Sequence, residues 1–375
     1  MSEFMKIVLL GAGQLGGSFA LAVRAGGNVF ITAYDVNAHH ADELLARGAV
    51  DAVATCAADA VRDADVIVFA APLRSYRELA SAIAPNIGSG TIVTDVGSVK
   101  GSMEAVAKLL PTARVVPGHP IAGTEKSGPG AANGDLFRGK LCILTPHDTT
   151  DADALNAVET LWHVAGADVI SMPAAVHDHI YAYVSHLPHF IAFVAASYFH
   201  SLGAKMMAED AVLQQFLRIS RSNARMWTDV ALENREALLP ALATYIALLE
   251  HFATELRAGE KADGDRVALA TRLLPRILAA SLISSVSLYE QQSGTSLRPF
   301  GAGGMRDIVA PAANTPEGDT EEISHHASVM ADIIDGIIPS FRRLEKLIGA
   351  EDEPALFALL SAMVGDAHAL AETRN

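Results

Sequence analysis

The first 170 or so residues alternate between short apolar runs and amphipathic segments of helical periodicity. Short runs rich in β-branched side chains are typical of strands buried in a parallel sheet. We expect strands at 6–10, 29–34, 65–70, 91–95, 115–116, 141–144 and 168–170, and helices at 17–24, 42–47, 76–83 and 152–163. Strands that alternate with helices in this way predict an α/β fold with a parallel sheet.

A glycine motif directly follows the first predicted strand. Gly11, Gly13 and Gly16 form a Gly-x-Gly-x-x-Gly pattern, with a predicted strand before it and a predicted helix after it. The first glycine permits a tight turn, the second lets the backbone approach a pyrophosphate, and the third lets the helix pack close to the strand. The amide groups at the helix start then face the phosphates. The motif predicts a Rossmann-type dinucleotide-binding domain, with Gly11, Gly13, Gln14, Leu15 and Gly16 at the cofactor.

The second predicted strand ends at Asp35, near the distance from the last glycine at which such domains place an acid. A carboxylate there accepts hydrogen bonds from the ribose hydroxyls and repels a 2′-phosphate. The two residues after it offer no arginine for that phosphate, so NAD is favoured over NADP as the cofactor. Ala71, Pro72 and Leu73 end another predicted strand. We expect them along the cofactor, because ligands bind at the carboxyl ends of parallel strands.

The alternation stops at Pro173, and long helical periodicity follows. We therefore predict an α/β N-terminal Rossmann-type dinucleotide-binding domain at 5–172, followed by an all-α C-terminal domain at 173–375 for substrate binding and dimerisation. Within the second domain, glycines and prolines predict breaks in the helices. The predicted breaks are at Gly203, Pro240, 259–264, 294–304 and 311–318.

Two segments of the helical part are similar to one another. Leu187–Ala192 (LPHFIA) resembles Leu274–Ala279 (LPRILA), and each is expected to open a long apolar helix, which suggests an internal repeat. The longest apolar stretch, Ile180–Phe199, is about long enough to span a membrane. It contains His186 and His189, which are costly in lipid, so a buried helix is favoured.

The composition narrows the class of partner. The chain has 375 residues and a net charge of −15, without a cluster of lysines and arginines, so we expect no nucleic-acid partner. We expect no membrane partner either, because the apolar stretch is better explained as a buried helix. Its two cysteines and the lack of a secretory signal before Met5 predict a cytoplasmic protein. Residues 1–4 resemble a short leader outside the fold. Several histidines could suggest a metal site, but no cysteine or paired carboxylate completes a ligand set, so we expect no metal. These histidines are His177, His179, His186 and His189.

The segment at 117–127 combines an imidazole, a hydroxyl, a carboxylate and an ammonium between glycines and prolines. We expect a surface turn here, because reactive groups are usually displayed on loops of a rigid scaffold. Its imidazole, His119, can exchange a proton near neutral pH. Ser98 follows the neighbouring predicted strand, and both strand ends should reach the sheet edge that carries the glycine motif. We predict that Ser98 and His119 meet at the reacting carbon, one donating a proton and the other removing one.

Several segments resemble the prephenate and arogenate dehydrogenase family. They are DVGSVK at 95–100, GHPIAGTE at 118–125, SHLPH at 185–189, RIS at 218–220, MWTDV at 226–230 and EN at 233–234. The resemblance runs in order from Met5 to Asn234. It implies a two-domain enzyme of tyrosine biosynthesis. Such an enzyme uses NAD(P) to decarboxylate prephenate or arogenate oxidatively, giving 4-hydroxyphenylpyruvate or tyrosine. Separately, a helical domain this long and this apolar is expected to bury surface against a second copy, most simply in a two-fold homodimer.

The same resemblance implies roles for individual residues. His119 would be the catalytic base on the ring hydroxyl, and Ser98 would hydrogen-bond that hydroxyl. The substrate-binding residues would be Thr124, His189, Arg218 and Trp227. Among them the arginine would hold a carboxylate, which a guanidinium can bind in bidentate fashion.

One segment departs from the family pattern. Members usually carry Gly-Gly-Phe-Arg/Lys-Asp shortly before the substrate arginine, where this chain has Leu213–Leu217 (LQQFL). A similar segment, Gly303–Asp307 (GGMRD), occurs much later, in the second copy of the possible repeat. Arg306 is therefore an alternative to Arg218 for the substrate carboxylate.

Two other functions stay open on sequence grounds. The first is a different NAD-dependent dehydrogenase of the 6-phosphogluconate or β-hydroxyacid dehydrogenase build. That class places a proton-transferring lysine on the helical domain, where this chain offers His186 and His189. The second is a non-catalytic NAD-binding sensor, which would not need Ser98 and His119 at converging strand ends. Fold alone does not separate these functions.

Overall fold

The chain divides into an α/β unit, Met1–Asp178, and a helical unit, His179–Asn375. The structure is a computed structural model that describes residues 4–123, 126–203, 211–258, 266–300, 305, 308–309 and 317–372. An α/β unit followed by a helical one confirms the predicted fold class. The predicted domain boundary at 172/173 stays a prediction.

A six-stranded parallel sheet forms the centre of the first unit. In chain order its strands are β1 (Met5–Leu10), β2 (Val29–Tyr34), β3 (Ala52–Val53), β4 (Val66–Phe69), β5 (Ile92–Asp95) and β6 (Arg114–Val115). They lie in the order β3-β2-β1-β4-β5-β6, and each neighbouring pair is parallel. All of β4 and the last four residues of β1 are buried, which is why these strands are continuous apolar runs. Because the order reverses between β1 and β4, their carboxyl ends form the crevice where such sheets bind ligands.

Helices alternate with strands along this part of the chain, as the sequence pattern predicts. They are α1 (Gln14–Gly26), α2 (Ala38–Ala46), α3 (Ala57–Ala60), α4 (Tyr76–Ile83), α5 (Gly101–Leu109), α6 (Ala152–Val164) and α7 (Ala174–Tyr181). The bounds of α4 are the predicted ones, whereas α5 was not predicted. Asp151 caps α6, where its Oδ1 accepts a hydrogen bond from the Ala154 amide at 2.9 Å.

A second, three-stranded sheet lies beyond β6. It consists of β7 (Gly118–Pro120), β8 (Leu141–Leu144) and β9 (Asp168–Ser171), with β7 antiparallel and β9 parallel to β8. The Val116 amide still donates to Val93 of the first sheet, and the Thr145 amide donates to Pro117, so the chain changes sheet at 116–117. The expectation of a surface turn is therefore wrong for 118–120. This segment is a buried strand, held by its pairing with β8.

The second unit is built from helices alone in the part of the chain that the structure describes. They are α8 (Leu187–Ser201), α9 (Ala211–Ile219), α10 (Ala224–Glu233), α11 (Arg235–Arg257), α12 (Arg266–Ser293), α13 (Glu317–His325), α14 (Ala327–Gly349) and α15 (Glu353–Glu372). A π-helical turn, Ala182–His186, precedes α8 and its Pro188. A proline cannot donate a backbone hydrogen bond, and its ring clashes with the carbonyl four residues earlier, which a π turn accommodates.

Two predictions about prolines are wrong. Pro240 does not break a helix but lies inside α11. Pro275 does not open a helix but lies inside α12, whereas Pro188 lies in the first turn of α8. The two similar segments therefore do not start equivalent helices, as the repeat would require. A proline in a helix interior costs about 3 kcal/mol, and the long buried face of α11 outweighs that local cost.

The apolar stretch at 180–199 belongs to the interior. Among the residues that the structure describes, four helical runs are long and apolar enough to cross a membrane by length and composition, and Ala174–Ser201 is one of them. In that run 83% of the apolar window is buried, as the sequence led us to expect of a core helix. In the second unit, α14 packs along α11, and α15 packs against α8 and α10.

Two glycines in long helices provide a matched test of this packing. A Cβ on Gly336 of α14 would lie 2.6 Å from the Tyr198 hydroxyl of α8, whereas one on Gly365 of α15 would meet no described atom within 4 Å. Alanine is a better helix former than glycine by about 1 kcal/mol. We expect Gly365→Ala to raise the free energy of unfolding by about that amount. Gly336→Ala should lower it by about 1–3 kcal/mol, because the new methyl group overpacks the contact. Denaturant unfolding followed by circular dichroism tests this; equal stabilisation by both substitutions would contradict the close contact.

Candidate active site

The glycines of the Gly-x-Gly-x-x-Gly motif occupy three different environments. Gly11 follows β1 with φ of +114°, and a Cβ there would lie 2.5 Å from the Ala70 carbonyl group. A Cβ on Gly16 would lie 2.6 Å from the carbonyl oxygen of Gly11. A Cβ on Gly13, the N-cap of α1, would meet no described atom within 4 Å. The fold itself thus requires the first and third glycines, while the second borders open space at a helix N-terminus, where a phosphate group fits.

Asp35 links the end of β2 to this glycine loop. Its Oδ2 accepts a hydrogen bond from the Ala12 amide at 2.7 Å, and its Oδ1 accepts one from the Asn37 amide at 2.8 Å. His40 Nδ1 lies 3.5 Å from the same Oδ1. A carboxylate has about four acceptor positions, so these contacts orient Asp35 beside the loop and still leave it acceptor capacity for ribose hydroxyls.

The other predicted cofactor residues lie at the same edge of the sheet. Ala71 follows β4 with its amide nitrogen 2.6 Å from the Cβ position of Gly11. Pro72 is exposed, and the buried Leu73 side chain lies 2.6 Å from the Cβ position of Gly97. Gln14 and Leu15 begin α1.

Asp95, the last residue of β5, is fully buried and joins the loop after β5 to the start of β7. Its Oδ2 accepts hydrogen bonds from the Gly97 amide at 2.9 Å and from Lys100 Nζ at 2.6 Å. Its Oδ1 accepts one from the Gly118 amide at 2.9 Å. Lys100 is also fully buried, and its Nζ donates to the Gly118 carbonyl at 2.5 Å. The Asp95–Lys100 pair thus fixes the residues immediately before Ser98 and His119.

Burial has the largest effect on the pKa of Asp95. Burial raises the pKa of the Asp95 carboxyl, while Lys100 and the two amides act in the opposite direction. Burial and the nearby carboxylate raise the pKa of Tyr76 well above its usual value, so its hydroxyl stays protonated, 3.4 Å from Asp95. An ammonium and two amides can only donate hydrogen bonds. Their convergence therefore favours the carboxylate form of Asp95.

His119 lies in β7 opposite Ile143 of β8 and is 9% exposed. Its Nδ1 is 2.8 Å from Nε2 of His177, whose Nδ1 is 2.8 Å from Oδ1 of Asp178. The sequence identifies His177 only as a candidate metal ligand and does not reveal this contact with His119. The available signal was the adjacent His-Asp pair near the start of the helix after β9. Within the described residues, no group of three or more His, Cys, Asp or Glu side chains is arranged to hold a metal ion.

His189 and Trp227 are packed together in the second unit, with their rings stacked at a centroid distance of 3.9 Å. His189 Nδ1 lies 2.8 Å from the Ser185 carbonyl, which can only accept, so Nε2 carries the lone pair. Burial, helped by the charge of Arg218, lowers the pKa of His189 to about 4. At neutral pH His189 is therefore a neutral ring. Trp227 is 5% exposed, and its Nε1 has no hydrogen-bond acceptor among the described residues.

Of the remaining substrate-binding candidates, Arg218 lies among the described residues. Arg218 is exposed near the end of α9, and its Nε donates to Gln215 Oε1 at 3.0 Å. The LQQFL segment that departs from the family pattern is part of α9, so it forms a helix there rather than a glycine loop. Thr124 and Arg306 lie outside the described residues.

Two family models match the chain. The first, described as the nucleotide-binding domain of prephenate dehydrogenase, matches residues 19–171. The second, described as the dimerization domain of prephenate dehydrogenase, matches residues 173–264. Residues beyond 264, which include all of α12 to α15, lie outside both matches.

Individual proteins are similar to this chain along most of their own length. Cyclohexadienyl dehydrogenase of Zymomonas mobilis is 35% identical over 272 residues, which are 71% of this chain and 92% of the relative. Prephenate dehydrogenase of Bacillus subtilis is 30% identical over 260 residues, 66% of this chain and 69% of the relative. Prephenate dehydrogenase from Aquifex aeolicus, solved in complex with hydroxyphenyl propionate and NAD+, is 29% identical with a TM-score of 0.62. That match covers 78% of this chain and 98% of the other.

The Asp95–Lys100 pair gives a prediction about stability. Asp95→Asn leaves a buried ammonium without its counter-charge, and Lys100→Met leaves a buried carboxylate. Breaking one side of a buried ion pair costs about 3–5 kcal/mol. We expect each single variant to lose roughly that much unfolding free energy. The double variant should lose clearly less than the sum, because it removes both charges. Strict additivity in urea unfolding of the four proteins would contradict a direct pairing.

Proposed function

The chain belongs to the prephenate dehydrogenase family, and we propose that His119 is the general base of its reaction. Membership of the family makes it an NAD-dependent oxidoreductase that dehydrogenates prephenate in tyrosine biosynthesis. The predicted function and the predicted NAD cofactor are confirmed at that level. The roles of individual residues, given next, are our proposal.

The fixed backbone position of His119 is the observation that supports its assignment as the base. The Asp95–Lys100 pair bonds both the amide and the carbonyl of Gly118, and Gly118 directly precedes His119. The imidazole therefore stands on a backbone that is fixed to β5, a strand of the nucleotide-binding sheet. A general base needs such fixed placement, because proton transfer requires hydrogen-bond distance to the reacting group. The same pair fixes Gly97, which supports Ser98 as the group that hydrogen-bonds the substrate hydroxyl.

The residues around the glycine loop fit NAD. Gly13 leaves open space at the N-terminus of α1, and the Asp35 carboxylate lies beside the loop with acceptor capacity for ribose. When bound, NAD accepts the hydride from the carbon that bears the ring hydroxyl. The proposed cofactor-binding residues are Gly11, Gly13, Gln14, Leu15, Gly16, Asp35, Ala71, Pro72 and Leu73.

His119 takes the hydroxyl proton as the hydride leaves, so that the carbinol becomes a carbonyl. The bond to the ring carboxylate then breaks, and its electron pair completes the aromatic ring while carbon dioxide departs. The proton held by His119 returns to the oxygen, which becomes a phenol. Because aromatisation drives the loss of carbon dioxide, the chain needs to supply only a base, a hydrogen-bonding hydroxyl and groups that bind the substrate.

The proposed substrate-binding residues are Arg218, His189, Trp227 and Thr124. Arg218 binds a substrate carboxylate through its guanidinium, which suits a bidentate contact. His189 and Trp227 form a stacked aromatic surface, on which the Trp227 Nε1–H is a donor and His189 is neutral. Thr124 completes the proposed set from outside the described residues.

We further propose that the chain is a cytoplasmic homodimer that binds neither a nucleic acid nor a membrane. A dimerization-domain match at 173–264 supports the dimer. Helices α14 and α15 cover part of that matched segment within the same chain, since they pack against α11 and α8. However, only 28% of the apolar window of α15 is buried, which leaves apolar surface for a second copy to cover.

Replacement of the base is the direct test of the catalytic proposal. We expect His119→Asn to lower kcat for NADH formation from prephenate by a factor on the order of a hundred or more, as for loss of a general base. NAD affinity, measured by calorimetry, should stay within about twofold. The exposed His147 of the same unit offers a control, since His147→Asn should leave both quantities unchanged. Wild-type turnover in the His119 variant would remove this residue from the mechanism.

Substitution of Arg218 and of Arg306 tests which of the two arginines binds the substrate carboxylate. Arg218→Ala should raise KM for prephenate about ten- to a hundredfold, since a charged hydrogen bond contributes roughly 1.5–3 kcal/mol, and should change kcat less. The exposed Arg221, three residues away, is the matched control. If Arg306→Ala raises KM and Arg218→Ala does not, the carboxylate contact belongs to Arg306.

Light scattering tests the assembly. We expect a particle of twice the chain mass of 39.4 kDa at micromolar concentration, with no dependence on added NAD. A monomer under those conditions would mean that α14 and α15 fully replace the partner subunit within one chain.

A further inference from the structure

A second histidine lies directly behind the proposed base. His119 Nδ1 and His177 Nε2 are 2.8 Å apart, and the two rings meet edge to face with centroids 5.0 Å apart. His177 Nδ1 is in turn 2.8 Å from Asp178 Oδ1. His177 is fully buried, and Asp178 is 9% exposed. The three side chains form a continuous hydrogen-bonded row, which we call the His-His-Asp row.

The acidic end of the row is held by the start of α5. Asp178 Oδ1 accepts a hydrogen bond from the Lys100 amide, and Oδ2 accepts one from the Gly101 amide, each at 2.8 Å. A helix N-terminus carries partial positive charge, which favours a carboxylate. Burial alone would raise the pKa of Asp178, but the bonds from His177 and the two amides bring it below its usual value. Asp178 is therefore ionised and can only accept hydrogen bonds.

That constraint sets the proton on each ring. Because Asp178 can only accept, His177 must donate through Nδ1. Burial outweighs the carboxylate and lowers the pKa of His177, so the ring is neutral and its Nε2 carries a lone pair. Nε2 must then accept from His119, which donates through Nδ1. Neutral His119 consequently holds its proton on Nδ1, and its lone pair is on Nε2.

We propose that His177 and Asp178 are positioning residues that hold His119 in the tautomer whose Nε2 is the base. The proposal rests on the proposed function, in which His119 removes the hydroxyl proton. When Nε2 takes that proton, the imidazolium keeps its Nδ1–H bond to His177, and the Asp178 carboxylate stabilises the new positive charge through the second ring. No proton leaves the row in this step: Asp178 stays ionised, and His177 keeps the proton on its own Nδ1.

The charges around the row determine the expected pH effect. Asp178 and Asp95 favour a positive charge on the His177 ring, whereas Lys100 opposes it; the buried Cys142 thiol, whose pKa burial raises, stays neutral. If the negative charge of Asp178 were lost, less negative charge would offset the effect of the Lys100 ammonium on the row. Formation of the His119 imidazolium, which bonds His177, would then be less favourable. The acid limb of kcat/KM, which requires neutral His119, would move to lower pH.

Asp178→Asn tests the row because an amide can donate where a carboxylate cannot. An amide N–H that donates to His177 Nδ1 reverses both bonds, so that His177 donates to His119 and the His119 proton moves to Nε2. We expect kcat to fall by a factor on the order of a hundred or more. In the turnover that remains, the acid limb should move down by about one pH unit. Asp151→Asn is the matched control, since Asp151 also caps a helix in this unit but lies outside the row.

The deciding measurement is the ring tautomer, which needs neither substrate nor turnover. In protein labelled with 15N-histidine, two-bond proton–nitrogen correlation spectra should show His119 protonated at Nδ1 in the wild type and at Nε2 in Asp178→Asn. The His119→Asn spectrum assigns the signals. Asp151→Asn should give the wild-type pattern and the wild-type pH profile.

Two results would overturn the proposal: wild-type His119 protonated at Nε2, or Asp178→Asn with unchanged kcat and unchanged acid limb. If Asp178→Asn does not fold, the wild-type spectrum and the acid limb of His177→Gln decide in its place. Failure of the proposed function looks different. A wild-type protein without turnover of prephenate would still report its His119 tautomer.

Discussion

The buried carboxylate of Asp95 is the constraint on which the proposed active site depends. Three donors that cannot accept converge on it: the amides of Gly97 and Gly118 and the ammonium of Lys100. Each of these groups is costly to bury alone. Together they tie a loop after β5 to the strand that the chain enters after it leaves the first sheet. Ser98 and His119 directly follow the two tied glycines, so one residue sets the backbone position of both proposed catalytic side chains.

Electrostatics and geometry support each other at this point. Lys100 neutralises Asp95 and bonds the Gly118 carbonyl, while its own backbone amide bonds Asp178. Lys100, at the start of α5, therefore binds both Gly118, which precedes His119 in the chain, and Asp178, which ends the His-His-Asp row. Such a network stabilises the fold only if each buried polar group has a hydrogen-bond partner, because an unpaired buried polar group costs more free energy than an apolar side chain in its place. When every group is paired, the network gives a rigid site for a base.

Much of the nucleotide-binding part could be predicted from sequence, because its rules are local. The apolar runs of β1 and β4, the glycine spacing and the acid after β2 each carry their own signal. What could not be predicted depends on contacts distant in sequence. The change of sheet at Pro117 follows from pairing with β8, and burial of Lys100 follows from Asp95 rather than from any apolar pattern. The prolines inside α11 and α12 show tertiary packing overriding a local rule. The sequence contains His177, but its contact with His119 could be recognised only from the folded structure.

The central claim is that the Asp95–Lys100 pair serves catalysis by placing His119, beyond its contribution to stability. The most direct measurement is kcat for NADH formation from prephenate by the Asp95→Asn/Lys100→Met double variant, with NAD affinity measured in parallel. Replacing both members of a buried pair with groups of similar volume often leaves a protein folded. The account predicts a folded protein with near-normal NAD affinity and a kcat reduced on the order of a hundredfold, as for loss of the base itself. A folded double variant with wild-type kcat would contradict it.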